Sequence, residues 1–210
     1  NGTYISVENL FKNFPVRKKF LSNKSAENYY IRDIIKSIAI SHPKINFNYT
    51  EDKKQKFVFF NKGETDFYKN RVLEIMGKDF YESSIFIDAD NDICSFKGYI
   101  SIPTYNKSTW RETVITVNNR VIKDRSLLGV IKAAYSGLLA GNRFPVIILN
   151  IKVPYENIDA NIHPRKTEVS LLDRKKINST LIRTIRNALE KSGLINSGIY
   201  EKKLLNNINI

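Results

Sequence analysis

At 210 residues and 42% hydrophobic composition, the chain can fill the core of one ordinary domain, which excludes a disordered tail. Lys and Arg number 34 against 21 Asp and Glu, a net charge of +13, so the expected partner is a polyanion. That polyanion is nucleic acid or an acidic membrane surface, and aromatic residues at 11% favour nucleic acid over a basic surface that serves only solubility. A lone Cys94 excludes an internal disulfide, and with only His42 and His163 beside it no metal-ligand cluster is expected, so the chain reads as intracellular and metal-free.

No apolar run approaches the roughly 18 residues that span a bilayer, and NGTYISVENLF lacks the layout of a signal peptide, so no membrane role is expected. In chain order, residues 3–8 (TYISVE) alternate like a strand, and Pro15 opens a short helix, VRKKFL. Residues 25–41 predict a helix with Ile31, Ile34, Ile35 and Ile38 on its apolar face, ended by His42-Pro43. INFNYT (45–50) and KFVFFN (56–61) form an expected hairpin across EDKKQ, and residues 65–77 an expected helix closed by Gly77. SSIFIDAD, ICSFKGYISIPT and ETVITVNNRVI predict three more strands. A helix over 126–141 follows, capped by Ser126 and ended by Gly141, then the buried strand FPVIILNIKV. The last helix starts at Asp173, whose side chain is expected to cap it, and carries Ile177, Leu181, Ile185, Ala188 and Leu189 inward up to Gly193. The tail 194–210 reads as the start of a linker. The mixture predicts an α+β two-layer sandwich: a mainly antiparallel sheet with helices on a face.

Three segments are too polar and too unusually spaced to be core alone. GTYISVENLFKNFPVRKKFL (2–21) sets Gly2 and Thr3 at a strand entry, where glycine permits close approach to a ligand and the hydroxyl can bond; alone, Gly-Thr is an ordinary turn. TVNNRVIKDRSL (116–127) turns on Asn118-Asn119 and gathers Arg120, Lys123 and Arg125, which suits phosphate contacts; its bland alternative is a solvated hairpin. IDANIHPRKTEVSL (158–171) crowds Asp159, Asn161, His163, Arg165 and Lys166 between a strand and a helix. His163 reads as structural, since no Ser or Cys partner can be assigned to it, whereas His-Pro stiffens the loop that carries Lys166. With no phosphate loop of the GxxxxGK type and no Cys-His-Asn set, the chain holds no complete catalytic site.

Taken together, GTYISVENLFKNFPVRKKFL, VNNRVIKD and IDANIHPRKTEV resemble, in order and spacing, the patterns GTxxxVxxLFxNxPxRxKFL, VNxRxxxD and VDxNxHPxKxEV of the MutL family of DNA mismatch repair ATPases, within the GHKL superfamily. The resemblance covers residues 2 to about 190. It implies the transducer subdomain, with a fold similar to gyrase's transducer and to a ribosomal-protein domain and a left-handed βαβ crossover. The family's ATP-binding half, with its catalytic glutamate and Mg-binding asparagine, has no counterpart here, so no catalytic residue and no metal ligand is assigned. ATP and Mg are expected in the complete protein and neither on this chain alone.

Carried over by position, the lysine that reaches the γ-phosphate falls on Lys166, the Gly-Thr beside the nucleotide on Gly2 and Thr3, and a DNA-binding arginine on Arg125, with Arg120 and Lys123 beside it. Asn119 stands where the family favours glycine. Arg165 adds a second cation next to Lys166, and either of the two can face the phosphate. The implied organisation is residues 1–22 as the end of the ATPase subdomain, 23–193 as transducer and 194–210 as linker. The implied function is coupling of ATP binding to dimer closure and DNA binding in mismatch repair. The implied partners are DNA, the upstream ATPase subdomain, a MutS-type recognition protein and a second copy, in the cytoplasm and nucleoid if the source is bacterial. The alternative is a stand-alone nucleic-acid-binding module, like a ribosomal protein, with no nucleotide dependence.

Overall fold

A computed structural model describes residues 2–60, 66–159 and 169–194. Residues 3–8 form no strand. Tyr4, Ile5 and Val7 are almost fully exposed, because their alternation meets no sheet edge to pair with, and an isolated strand has no stability of its own. Helix α1 (Pro15–Lys19) begins on its proline, and α2 (Lys24–Ser41) is capped by Asn23, whose side chain accepts from the Ala26 N–H at 2.9 Å. Strands β1 (Phe47–Glu51) and β2 (Lys54–Phe59) pair antiparallel across Asp52-Lys53, both left-handed, so the turn is tighter than the polar stretch EDKKQ suggested. Helix α3 (Phe67–Met76) is capped by Asp66, and Gly77, at φ 83°, breaks it from the short α4 (Lys78–Glu82).

The sheet follows: β3 (Ser84–Asp90), β4 (Ser95–Ser101), the short β5 (Asn106–Lys107), β6 (Val114–Val117) and β7 (Arg120–Ile122). Helix α5 (Arg125–Ala134) stops before the expected Gly141, and its cap is Asp124 rather than Ser126: the carboxylate reaches the Ser126 and Leu127 N–H groups, the geometry a cap requires, while Ser126 is already in the first turn. Then come β8 (Phe144–Pro145), which pairs with β5, β9 (Ile147–Lys152), a single 3-10 turn, the two-residue pair β10 (Ile158–Asp159) and β11 (Ser170–Leu171), and α6 (Arg174–Lys191). Asp173 makes no capping bond to α6; its carboxylate sits 3.3 Å from the Lys176 ammonium instead.

The main sheet runs β3-β4-β9-β6-β7, antiparallel at every step except the central β9–β6 pair, which is parallel. A parallel neighbour demands a long return, here through β7 and α5. Alternation along β9 divides the core. Ile147, Leu149 and Ile151 face α5 and α6, joined by Phe96, Ile100, Leu127, Ile131, Ile177, Leu181 and Leu189, which makes the expected two-layer packing. Ile148, with Tyr99 and Val114, faces the opposite side and meets Ile40 of α2, Val72 of α3 and Phe80 of α4, so helices cover part of that face as well. The second layer is tied together by Arg71, only 2% exposed. Its guanidinium donates to the Ala39 carbonyl at 3.0 Å and the Ile45 carbonyl at 2.9 Å, satisfying an acceptor that the end of α2 leaves without an intrahelical partner. Burial lowers its pKa from the usual arginine value, and Glu74 at 3.3 Å opposes that.

The apolar stripe of α2 points away from this core. Ile31, Ile34 and Ile38 are exposed, whereas Tyr29, Asp33, Ser37 and Ile40 line the space toward the sheet. The bonds from Arg71 fix the rotation of the helix through its last turn, and that overrides the amphipathic preference.

Two glycines provide opposite tests of the packing. A Cβ on Gly98 in β4 would lie 1.9 Å from the Ile148 carbonyl oxygen, a clash with backbone that cannot swing away, whereas one on Gly129 in α5 would meet nothing within 4 Å. Gly98→Ala is expected to cost about 3 kcal/mol, the upper end of overpacking, and Gly129→Ala to add up to about 1 kcal/mol through helix propensity. Urea unfolding of the two variants reads both signs.

Candidate nucleic-acid interface

The basic segment between β6 and α5 is held by side chains that extend the sheet. Asn118 and Asn119 have φ of 48° and 65°, so the hairpin is a two-residue turn in which both residues are left-handed, a conformation asparagine tolerates better than most residues. Beyond the last residue pair, the Asn118 N–H donates to the Ile151 carbonyl at 2.9 Å. Its amide side chain then donates to the Val153 carbonyl and accepts from the Val153 N–H, each at 3.0 Å. The asparagine thus imitates one more rung of the parallel ladder. Asn150 of β9 locks the other half of the turn: it donates to the Asn119 side-chain oxygen at 2.8 Å and accepts from the Thr116 hydroxyl at 2.8 Å.

Asp124 anchors the far end. Nearly buried, it caps α5 with one carboxylate oxygen, and the other accepts from the Arg174 guanidinium at the start of α6. Arg125 follows immediately as the first residue of α5, exposed and without an ion pair among the described residues, where the positive end of the helix dipole adds to its charge. Lys123 is exposed but lies 3.9 Å from Asp33 of α2, which partly cancels it, and Arg120 is half-buried in β7. The three cations expected to meet phosphate are therefore held at one rigid junction, where Arg125 is exposed with no ion pair among the described residues and Lys123 faces Asp33.

The nucleotide-side expectations fare differently. Lys166, Arg165, His163 and Asn161 lie outside the described residues. The flanks of their segment are placed: Ile158 pairs with Leu171 and Asp159 with Ser170, and the Leu172 N–H donates to the Asn157 carbonyl at 3.0 Å. This stem is connected to the basic junction on both sides, through Val153 to Asn118 and through Arg174 to Asp124. Gly2 and Thr3 are exposed on the unpaired N-terminal segment, away from any strand. Among the described residues no group of three His, Cys, Asp or Glu side chains could hold a metal, and no helix is long and apolar enough to cross a membrane. Cys94 is buried with its thiol pKa raised by desolvation, and His42 sits at the end of α2 against the Ile38 carbonyl and the Ser41 hydroxyl.

One functional candidate escaped the sequence. Arg111, in the turn before β6, stands 5.6 Å from the Tyr29 ring centroid, across the gap between α2 and the sheet. It lines the same groove as Lys123 and Arg125. In STWRET it is one cation among turn residues, with no local pattern to mark it.

Comparison with known proteins bears on the family and the fold. The family described as DNA mismatch repair protein, C-terminal domain, matches residues 72–190, more than half of the chain. The DNA mismatch repair protein MutL of Rickettsia akari (strain Hartford) is 35% identical over 198 residues, covering 93% of this chain and 32% of that protein. The chain thus spans about a third of the length of the curated relatives it matches. Among solved structures, the N-terminal domain of a DNA repair protein superposes with a TM-score of 0.71 at 21% identity, covering 88% of this chain and 60% of that one. The Aquifex aeolicus MutL ATPase domain complexed with ADP gives 0.51 at 20%, covering 70% of this chain and 50% of that one, so both share its fold. With the family matched across the whole sheet and both helices of its main face, the chain belongs to the MutL family of DNA mismatch repair proteins.

Proposed function

We propose that this chain is the transducer part of a mismatch repair ATPase, working in the cytoplasm on the nucleoid, with residues 1–22 ending the upstream ATPase subdomain, 23–193 forming the transducer and 194–210 leading away from it. Lys166 meets the γ-phosphate of ATP bound with Mg by the upstream half, Gly2 and Thr3 lie beside the nucleotide, and Arg125 with Arg120 and Lys123 takes DNA phosphates. A MutS-type protein and a second copy of the whole protein complete the assembly. The observation that carries the reading is the double connection between the 158–171 stem and the basic junction: Asn118 to Val153 on one side and Asp124 to Arg174 on the other. A lysine that contacts phosphate in the ATP state and loses the contact in the ADP state gives the two states a free-energy difference, and only such a difference can shift an equilibrium elsewhere. The exposed Ile31, Ile34 and Ile38 stripe supports a further protein surface over α2, as an adjoining subdomain supplies.

Lys166→Ala in the full-length protein is expected to lower ATP turnover roughly 10-fold or more while its melting temperature stays put, since one charge-assisted contact is lost. Unchanged turnover would move the role to Arg165.

Arg125→Glu removes a phosphate contact and adds a repulsion, so DNA affinity should fall alike for every sequence and the slope of log affinity against log salt should flatten by roughly one or two units. Anisotropy titrations across salt concentrations measure this, and equal slopes would leave the charge at this junction without a DNA role.

Arg174→Gln isolates the connection. DNA affinity without nucleotide is expected to hold, while the change in affinity on adding a non-hydrolysable ATP analogue shrinks. An undiminished nucleotide effect would place the coupling elsewhere, and no nucleotide effect in the unaltered protein would favour a stand-alone nucleic-acid-binding module.

A further inference from the structure

The central strand β9, expected to be buried throughout, carries two polar residues on the face that meets α2. By alternation that face reads Ile148, Asn150, Lys152. Tyr99, Ile148 and Val114 lie side by side and pack under α2, α3 and α4, while the next row along the strands is Lys97, Asn150 and Thr116. Past the first row a groove of about 680 Å³ opens. One wall is the turn from Ser41 to Ile45, fastened by the Arg71 guanidinium on the Ile45 carbonyl at 2.9 Å and by the Ile45 N–H on the His42 carbonyl at 3.0 Å. At the other end Asn150 is held by the Thr116 hydroxyl and by Asn119, each at 2.8 Å. The groove is thus preformed, which lowers the ordering cost of association.

The charge of this groove has one sign. Lys44, Lys97, Lys152 and His42 line it, and among the described residues no Asp or Glu does. Lys97 is shared with Asp88 at 2.8 Å and Lys44 lies 5.7 Å from the Phe67 ring centroid, whereas Lys152 is exposed with no ion pair among the described residues. Between these cations the surface is aliphatic: Ile40, Val114 and Ile148 form the floor, and Ile45 stands in the wall with 51% of its surface exposed. Arg111, Arg120, Lys123 and Arg125 take no part in it, so it is separate from the basic junction.

We propose that this groove docks an acidic segment of a partner protein, with one apolar side chain seated against Ile45 over Val114 and carboxylates on either side of it reaching Lys152, Lys97 and Lys44. A small anionic metabolite needs polar groups that converge on one point, but here the floor is apolar and the lysines stand apart at the rim, on the turn after α2, on β4 and on β9. A nucleic-acid strand would meet the lysines, yet its bases need a free ring to stack on, and Tyr68 in the groove is already stacked on Tyr99 with centroids 5.9 Å apart. An acidic peptide answers both features. Its apolar anchor supplies contact at the centre, and its charges steer it to a rim of opposite sign. The proposal stands apart from the DNA-binding reading and does not depend on it.

The test measures binding of the 210-residue chain to two labelled, end-blocked peptides of equal charge, DELFDE and DESSDE, by fluorescence anisotropy. DELFDE should bind more tightly. Ile45→Ser should weaken DELFDE roughly 3- to 10-fold and leave DESSDE unchanged, because only the first has an apolar anchor to lose. Lys152→Glu should weaken both peptides by roughly 3- to 10-fold and reduce their salt dependence, whereas Lys191→Glu, the same charge change at the end of α6, should alter neither. Near-ultraviolet circular dichroism shows whether each variant keeps its packing. Equal affinity for the two peptides overturns the apolar anchor, and DELFDE affinity unchanged by both Ile45→Ser and Lys152→Glu overturns the groove. Equal losses with Lys152→Glu and Lys191→Glu would reduce the effect to net charge and overturn the site. An oligothymidylate of equal charge that competes as well as DELFDE, and is weakened alike by both groove substitutions, would make this a nucleic-acid surface and overturn the assignment to a peptide. Full-length protein should bind DELFDE as the chain does, and loss of binding there would mean that the rest of the protein covers the groove, which overturns a partner's access to it.

Discussion

The parallel pairing of β6 with β9 is the constraint on which the functional surface depends. Parallel neighbours cannot be joined by a tight turn, so the chain between them must leave the sheet and return, and that excursion carries the basic hairpin and α5. The same pairing puts the Asn118-Asn119 turn beside the end of β9, where the segment toward residue 158 departs. Two stretches about 40 residues apart become neighbours through one ladder and an amide side chain that prolongs it. Without that ladder, neither the direction of Arg125 nor the position of the 158–171 stem would be fixed.

Electrostatics then decides which charges remain available. Asp124 is nearly buried and would be costly there alone, but it caps a helix and pairs with Arg174, so its charge is spent inside the protein. The neighbouring Arg125 is left unneutralised, at the helix end that already favours anions. Lys123 is partly cancelled by Asp33 across the gap to α2. A net charge of +13 is therefore not an even coat. Pairing inside the fold removes some cations from play and leaves others, such as Arg125, exposed and without an ion pair among the described residues.

Helix α2 shows tertiary structure overruling a local signal. Its isoleucines have the spacing of a core stripe, yet Arg71 holds the last turn of the helix through the Ala39 carbonyl and turns that stripe outward. Rotating the stripe inward would break the bond from the buried Arg71 guanidinium to the Ala39 carbonyl, and a buried charged donor left short of an acceptor is costly. The consequence is double: an apolar surface faces out, and a partly polar groove is left open beneath.

Composition, hydrophobic period and turn chemistry made most elements legible without coordinates. The inner residues of α6, the strands around Gly98 and Leu149, and the Asn-Asn turn all follow from patterns within a few residues. The three polar segments were equally legible, because their spacing is local and their residue types are unusual for a core. Tertiary structure alone decided the rest. Residues 3–8 alternate like a strand, but pairing needs an edge that the segment itself does not supply. The cap of α5 is Asp124 because Arg174, 50 residues away, stabilises its charge there. Arg111 and Tyr29 are more than 80 positions apart and acquire a common meaning only across a groove. Period and propensity are sums over neighbours in sequence; which face is covered, which charge is neutralised and which gap stays open are sums over neighbours in space.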